Sequence, residues 1–199
     1  MRKLRQDEEG ISFVEGLIVF PLVLLTIVTL IELGMAVYQW NQTTKAVNLG
    51  ARLAAVSDPV ATNYTTLLSA DYDPTKVGLP PPTTPISIVC TLGAASCSDT
   101  ALTRLVRGSD GACNSNFGSG VPGMCDLNPA IGPANVQITY YRSGLGYIGR
   151  PDGPVTTVTV QVRNLQFNFF LLGALLGLNS LPIPAQPVTV TSEDLSSTK

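Results

Sequence analysis

Gly10-Ile11-Ser12-Phe13-Val14-Glu15 opens an apolar run that continues to Leu30. Between Ile11 and Leu30 only Ser12, Glu15, Thr26 and Thr29 are neither apolar nor small. About twenty such residues span the hydrocarbon core of a bilayer. A carboxylate inside the run costs about 2.5–3.5 kcal/mol on insertion scales. Glu15 therefore calls for a positive charge from outside its own helix, supplied after insertion by a neighbouring subunit.

Ahead of the run stand three bases, Arg2, Lys3 and Arg5, and three acids, Asp7, Glu8 and Glu9. Basic residues, rather than net charge, set orientation. The amino end is thus expected in the cytoplasm and the rest of the chain outside, with Lys45 and Arg52 as the counter-signal. A removable secretory signal shares the basic start and the apolar core. It does not account for the acids just before the core or for Glu15 within it, and no small-x-small site closes the run. A plain uncleaved anchor is the other alternative.

Beyond the run the helix is expected to continue. Tyr38 and Trp40 sit where aromatic residues mark a membrane interface. Ala46, Gly50 and Ala54 then form one helical line, with Val47, Ala51 and Ala55 beside it. Small residues let another backbone approach closely; packing beneath the protein's own sheet is favoured over a filament contact. A helix from Ile11 to Val56 is about 69 Å long at 1.5 Å per residue. Pro21 removes one backbone hydrogen bond and should bend it, and Ser57-Asp58-Pro59 ends it. Residues 57 to 85, with Pro59, Pro74, Pro80, Pro81, Pro82 and Pro85, read as a connector with at most a helical turn at Thr65 to Ala70.

Strand signals follow at Ile86 to Leu92, Val136 to Arg142, Val155 to Val162 and Pro187 to Thr191. Val136, Ile138 and Tyr140 alternate with polar neighbours, as do Val158, Val160 and Val162. The two central strands are joined by a Gly- and Pro-rich loop, Ser143 to Pro154. These elements predict an α+β fold: a long amino-terminal helix against an antiparallel sheet of about four strands. Gly144-Leu145-Gly146-Tyr147-Ile148-Gly149 matches G-x-G-x-x-G, but Arg150-Pro151-Asp152-Gly153-Pro154 forbids the helix a dinucleotide site requires. A mobile turn is the expected use of these glycines. Leu165 to Leu178 is a second apolar island, too short to span. A core-facing excursion between the last two strands is favoured for it over a place at the membrane surface or against a partner.

The composition excludes several classes. Net charge is −2, which implies no nucleic-acid partner. The chain has no histidine, so no Ser-His or Cys-His pair exists and no catalytic residue is assigned. No cofactor is expected. Cys90, Cys97, Cys113 and Cys125 all lie in the external part, without C-x-x-C spacing, which favours disulfides in an oxidising compartment over zinc. Of the three possible pairings, Cys90–Cys97 and Cys113–Cys125 are favoured, because both close short loops. Asp99 to Arg107 between them predicts a short helix with Leu102, Leu105 and Val106 inward. Asp110, Asn114, Asn116 and Asp126 fit no EF-hand spacing; the aspartates are expected to cap turns, and no metal site is assigned.

Residues 10 to 56 resemble the prepilins of the type IV pilin superfamily, and in detail the TadE-like pseudopilins of the Tad (Flp) pilus. The resemblance rests on Gly10 with Glu15, Val14-Glu15-Gly16, Phe20-Pro21-Leu22-Val23-Leu24-Leu25, Glu32-Leu33-Gly34-Met35-Ala36-Val37-Tyr38, Asn41-Gln42 and Ala46-Val47-Asn48-Leu49-Gly50-Ala51-Arg52. Gly16 replaces an aromatic of that pattern, and Met35 a basic residue. The resemblance implies a leader, residues 1–10, cut by a prepilin peptidase between Gly10 and Ile11, with Glu15 as the subunit-assembly residue. It implies partners among pilin and pseudopilin subunits and the inner-membrane pilus assembly machinery. The expected layout is leader 1–10, membrane-spanning and continuing helix 11–56, connector 57–85 and extracytoplasmic sheet domain 86–199. The implied role is a minor pilin for assembly of an adhesive Tad pilus, in the bacterial inner membrane before assembly. The alternative is a membrane-anchored binding domain that never enters a filament.

Overall fold

In the computed structural model, which describes residues 7–114, 120–142, 144–151, 153–177 and 180–192, the first helix (α1) runs unbroken from Asp7 to Val56. Arg2, Lys3, Arg5, Asn116, Ser143, Asp152 and Leu178, all used in the sequence reading, lie outside the described residues. The described helix includes Asp7 to Gly10 of the expected leader as well as Ile11 to Val56. Its 50 residues extend about 75 Å, and it continues through Pro21. The hydroxyls of Thr26 and Thr29 donate to the carbonyls of Val23 (2.7 Å) and Leu25 (2.8 Å). That satisfies them within the helix, as an apolar surrounding demands. The helix stops at Val56, as Ser57-Asp58-Pro59 predicts.

The chain divides into two compact units. One comprises Trp40–Leu165 and continues from Ile183. In it four strands form an antiparallel sheet in the order β1-β2-β3-β6, with β1 at Ser87–Cys90, β2 at Val136–Arg142, β3 at Thr156–Val162 and β6 at Val188–Thr191. All four strands fall where alternation predicts them. The central register pairs Val136 with Val162 and Arg142 with Thr156. Ile88, Cys90, Val136, Ile138, Tyr140, Val158, Val160 and Val162 face inward and are buried. Ala46, Val47, Ala51 and Ala54 of α1 join them in one hydrophobic cluster. The small-residue line therefore lies under this protein's own sheet, and Asn128 Nδ2 adds a hydrogen bond to Thr43 Oγ1 at 2.8 Å.

The proline-rich segment is more than a connector. It forms α2, Tyr64–Leu68, and a 3-10 turn at Pro74–Lys76. Val60, Ala61, Tyr64 and Leu68 belong to the core. Tyr64 packs edge-on against Tyr140, centroids 5.3 Å apart, and its hydroxyl donates to Pro154 O at 3.0 Å. Tyr140 accepts the Val60 N–H at 2.9 Å, and burial pushes its phenol up to about 12. The helix expected after Cys97 is α3, Asp99–Arg107, capped by Ser98, whose hydroxyl accepts the Ala101 N–H. Leu102, Leu105 and Val106 are its buried face, as expected. A short α4 follows at Met124–Leu127.

The glycine-rich loop between β2 and β3 is tied back to the proline-rich segment at Ile148. Ile148 is buried and exchanges backbone hydrogen bonds with Gly78 and Leu79, both 2.9 Å. Gly146 and Gly149 have positive φ, and a Cβ there would come within 2.8 Å of Val155 and of Val77. These glycines allow a close approach of chain to chain.

The second unit comprises α1 up to Gln39 together with Gln166–Pro182. Here the apolar island forms a small hairpin: β4, Gln166–Asn168, pairs antiparallel with β5, Ser180–Pro182, and α5, Leu171–Leu176, lies between them. Gly177, left-handed at φ 70°, closes α5 with its N–H on Gly173 O. The island is thus an excursion between β3 and β6 in the chain. Leu165 itself belongs to the main hydrophobic cluster, which includes none of the described residues of Gln166–Pro182; that stretch groups with the amino-terminal part of α1.

Candidate functional site on the amino-terminal helix

The sequence singles out Gly10, Ile11 and Glu15, and all three lie on α1. Glu15 follows Ile11 by about one helical turn. Glu15 is exposed, and so are Phe13, Val14, Leu17, Ile18, Val19, Phe20, Leu22, Val23 and Leu24 around it. The exposed apolar surface continues through Ile31, Leu33, Met35 and Val37. None of the most apolar window of this helix is buried. A face of that kind is unfavourable in water by about 25 cal/mol per Å², so it belongs against lipid or other helices.

A second acid on the same helix has a defined environment that the sequence reading gave no role. Glu32 is 8% exposed. One carboxylate oxygen accepts the N–H groups of Phe170 (3.1 Å) and Leu171 (2.5 Å), and the other accepts that of Leu172 (3.1 Å). These are donors of the first turn of α5, which helix geometry leaves without partners. Phe170, at the cap position, supplies no side-chain cap, and Glu32 takes its place. The signal available in sequence was an acid just past an apolar run. Its partner, 139 residues away at Leu171, was not legible.

The four cysteines form Cys90–Cys97 and Cys113–Cys125, with Cα separations of 5.6 and 5.1 Å, the two short-range pairs favoured from spacing. Asp126 accepts the N–H groups of Gly123 (2.8 Å) and Asn114 (2.9 Å), and Asp110 that of Ala112 (3.1 Å). These carboxylates hold turns. Among the described residues no group of His, Cys, Asp and Glu is arranged to hold a metal ion.

Comparison with known families falls on the stretch that carries this exposed apolar face and both acids. Residues 10–52 match the family model TadE-like protein. The TadE-like segment contains Gly10, Ile11, Glu15 and Glu32 and ends within α1. It agrees with the resemblance read from the residues themselves. No curated protein and no solved structure matches the chain.

Proposed function

We propose that this chain is a minor pilin, or pseudopilin, for assembly of a Tad pilus used in surface attachment. The observation that carries the reading is the unpacked apolar face of α1, with Glu15 on it, inside the TadE-like segment. In this reading α1 anchors the protein in the inner membrane, amino end in the cytoplasm, and the sheet domain lies outside. A prepilin peptidase cuts between Gly10 and Ile11. The new α-amine, with a reference pKa near 7.7–8.0, is mostly protonated at neutral pH. It pairs with Glu15 of an adjacent pilin or pseudopilin subunit and sets the axial register. Such a pair removes two lone charges from an apolar bundle, and breaking it strands one of them. The protein acts as a structural subunit, without catalytic residues or cofactor.

The test is Glu15→Ala in the native host. The variant should insert, because its helix loses a buried charge. It should be trimmed to a chain starting at Ile11 by intact-mass analysis, and it should remain in the inner-membrane fraction with poor cell attachment. Normal pilus incorporation and attachment would sink the assembly role and favour an anchored domain that stays out of the filament.

A further inference from the structure

The hairpin between β3 and β6 poses a problem that its own unit solves only in part. From Asn164 to Ser192 the sequence carries no charged residue. Phe170 is 88% exposed and Leu181, paired with Phe167 across the hairpin, is 51% exposed. Aromatic and aliphatic side chains left open on a charge-free segment mark a contact surface.

What covers them follows from where the hairpin is tied. Glu32 lies two residues beyond Leu30, about 3 Å further along the helix. Its carboxylate holds the N–H groups of Phe170, Leu171 and Leu172. Phe170 is therefore fixed at the level where the apolar run ends. Each partner relieves the other there. A carboxylate at the edge of hydrocarbon needs donors, and a helix start there needs its free N–H groups satisfied. The segment is too short to span, but an apolar element with satisfied termini suits the headgroup and acyl boundary.

We propose that the hairpin Gln166–Pro182 is a second membrane contact, seated in the outer boundary of the same bilayer that α1 crosses and clamped at that depth by Glu32. The protein would then hold the membrane by a span and by an interfacial wedge from far along the chain. This rests on the reading of α1 as a membrane span.

The experiment uses the full chain in phosphatidylcholine vesicles with Trp40→Phe, which removes the only tryptophan. Phe170→Trp and Leu181→Trp are reporters, and Phe20→Trp is the reference within the span. Emission is read against lipids brominated near the headgroup end or near the methyl end of the acyl chain, and against aqueous iodide. The expected result is blue-shifted emission at positions 170 and 181, a larger loss with the shallow bromines than with the deep ones, and protection from iodide. Quenching by iodide without quenching by bromolipid would overturn the proposal, placing the hairpin in water. Protection from both would also overturn it, since a protein partner or second copy would then cover the surface. Stronger quenching by the deep bromines would rule out the clamp at the boundary. If position 20 itself escapes bromolipid, the span reading fails; if position 20 is quenched and 170 and 181 are not, the hairpin proposal alone fails.

Discussion

Arg142 is where the inward side of β2 changes character. Val136, Ile138 and Tyr140 precede it on that side, and the next inward position is a guanidinium only 1% exposed. Nη1 donates to Leu68 O at 2.9 Å and to the Asp71 carboxylate; Nη2 donates to Asp71 Oδ2 (2.9 Å) and Thr84 O (2.6 Å). Tyr72 lies beneath it, 5.6 Å from ring centre to guanidinium carbon. One side chain thus ties both parts of the proline-rich segment to the sheet, the forked geometry that arginine offers and lysine does not. Those hydrogen bonds hold the Asp71 carboxyl below its ordinary value, against an opposing effect of burial. A carboxyl lowered in the folded state adds stability above its unfolded pKa, about 3.9 for Asp, and that stability is lost as pH falls through the folded value. Asp71→Asn should therefore unfold at lower urea than the parent at neutral pH, and the gap should narrow as the pH drops below about 4. Urea melts across that range decide it; equal midpoints at neutral pH would show that Arg142 does not need the charge.

Helix α1 meets two environments, and its glycines report them. At Gly50 a Cβ would lie 2.5 Å from Met124 Sδ and 2.9 Å from its Cγ, and Met124 is fully buried. At Gly16 and Gly34 a Cβ would meet nothing within 4 Å. Gly50→Ala should destabilise the protein by about 1–3 kcal/mol, the usual range for overpacking, less the helix preference of alanine, about 0.5–1 kcal/mol. Gly34→Ala should lose nothing in the isolated protein. Thermal melts of the detergent-solubilised chain compare the two, and an undiminished Gly50→Ala would mean that Met124 repacks without cost. The same elements show what sequence can disclose. Alternation located β2 and β3, and helical spacing placed Leu102, Leu105 and Val106 on the inner face of α3, because periodicity persists long enough there to be read. Parity along β2 also places Arg142 inward, although the partner Asp71 could not be named from it. Strands β4 and β5 have three residues each, too few to show a period, and β5 ends in Pro182. Tyr64 and Leu68 are spaced as i and i+4, but five residues among polar neighbours do not make a helix signal. The Glu32 clamp joins residues whose separation in the chain carries no local mark.

At the scale of the whole molecule, the sheet-bearing unit and the hairpin are separable by chain connectivity. Among the described residues, every member of the main hydrophobic cluster lies in Trp40–Leu165 or from Ile183 onward. The hairpin enters after Leu165 and leaves before Ile183, and the Ile183 N–H donates to Leu165 O at 2.9 Å. Its two ends are thus already joined by a backbone hydrogen bond, so a short linker can close the gap, and loop closure depends only weakly on length. Both disulfides and the Arg142–Asp71 pair also fall in the sheet-bearing unit. A chain from Trp40 to Ser192, with Gln166–Pro182 replaced by a few Gly and Ser residues, should fold in water without detergent. It lacks Phe13 to Val37 and also Phe170 and Leu181, among the most exposed apolar side chains. It should unfold in one cooperative step, within about 1 kcal/mol of the same fragment carrying the native hairpin in detergent. Paired urea titrations followed by circular dichroism make the comparison. A non-cooperative transition, or a fragment that precipitates unless the hairpin is restored, would mean that Gln166–Pro182 is part of what folds the sheet domain, and the division into two units would not describe its stability.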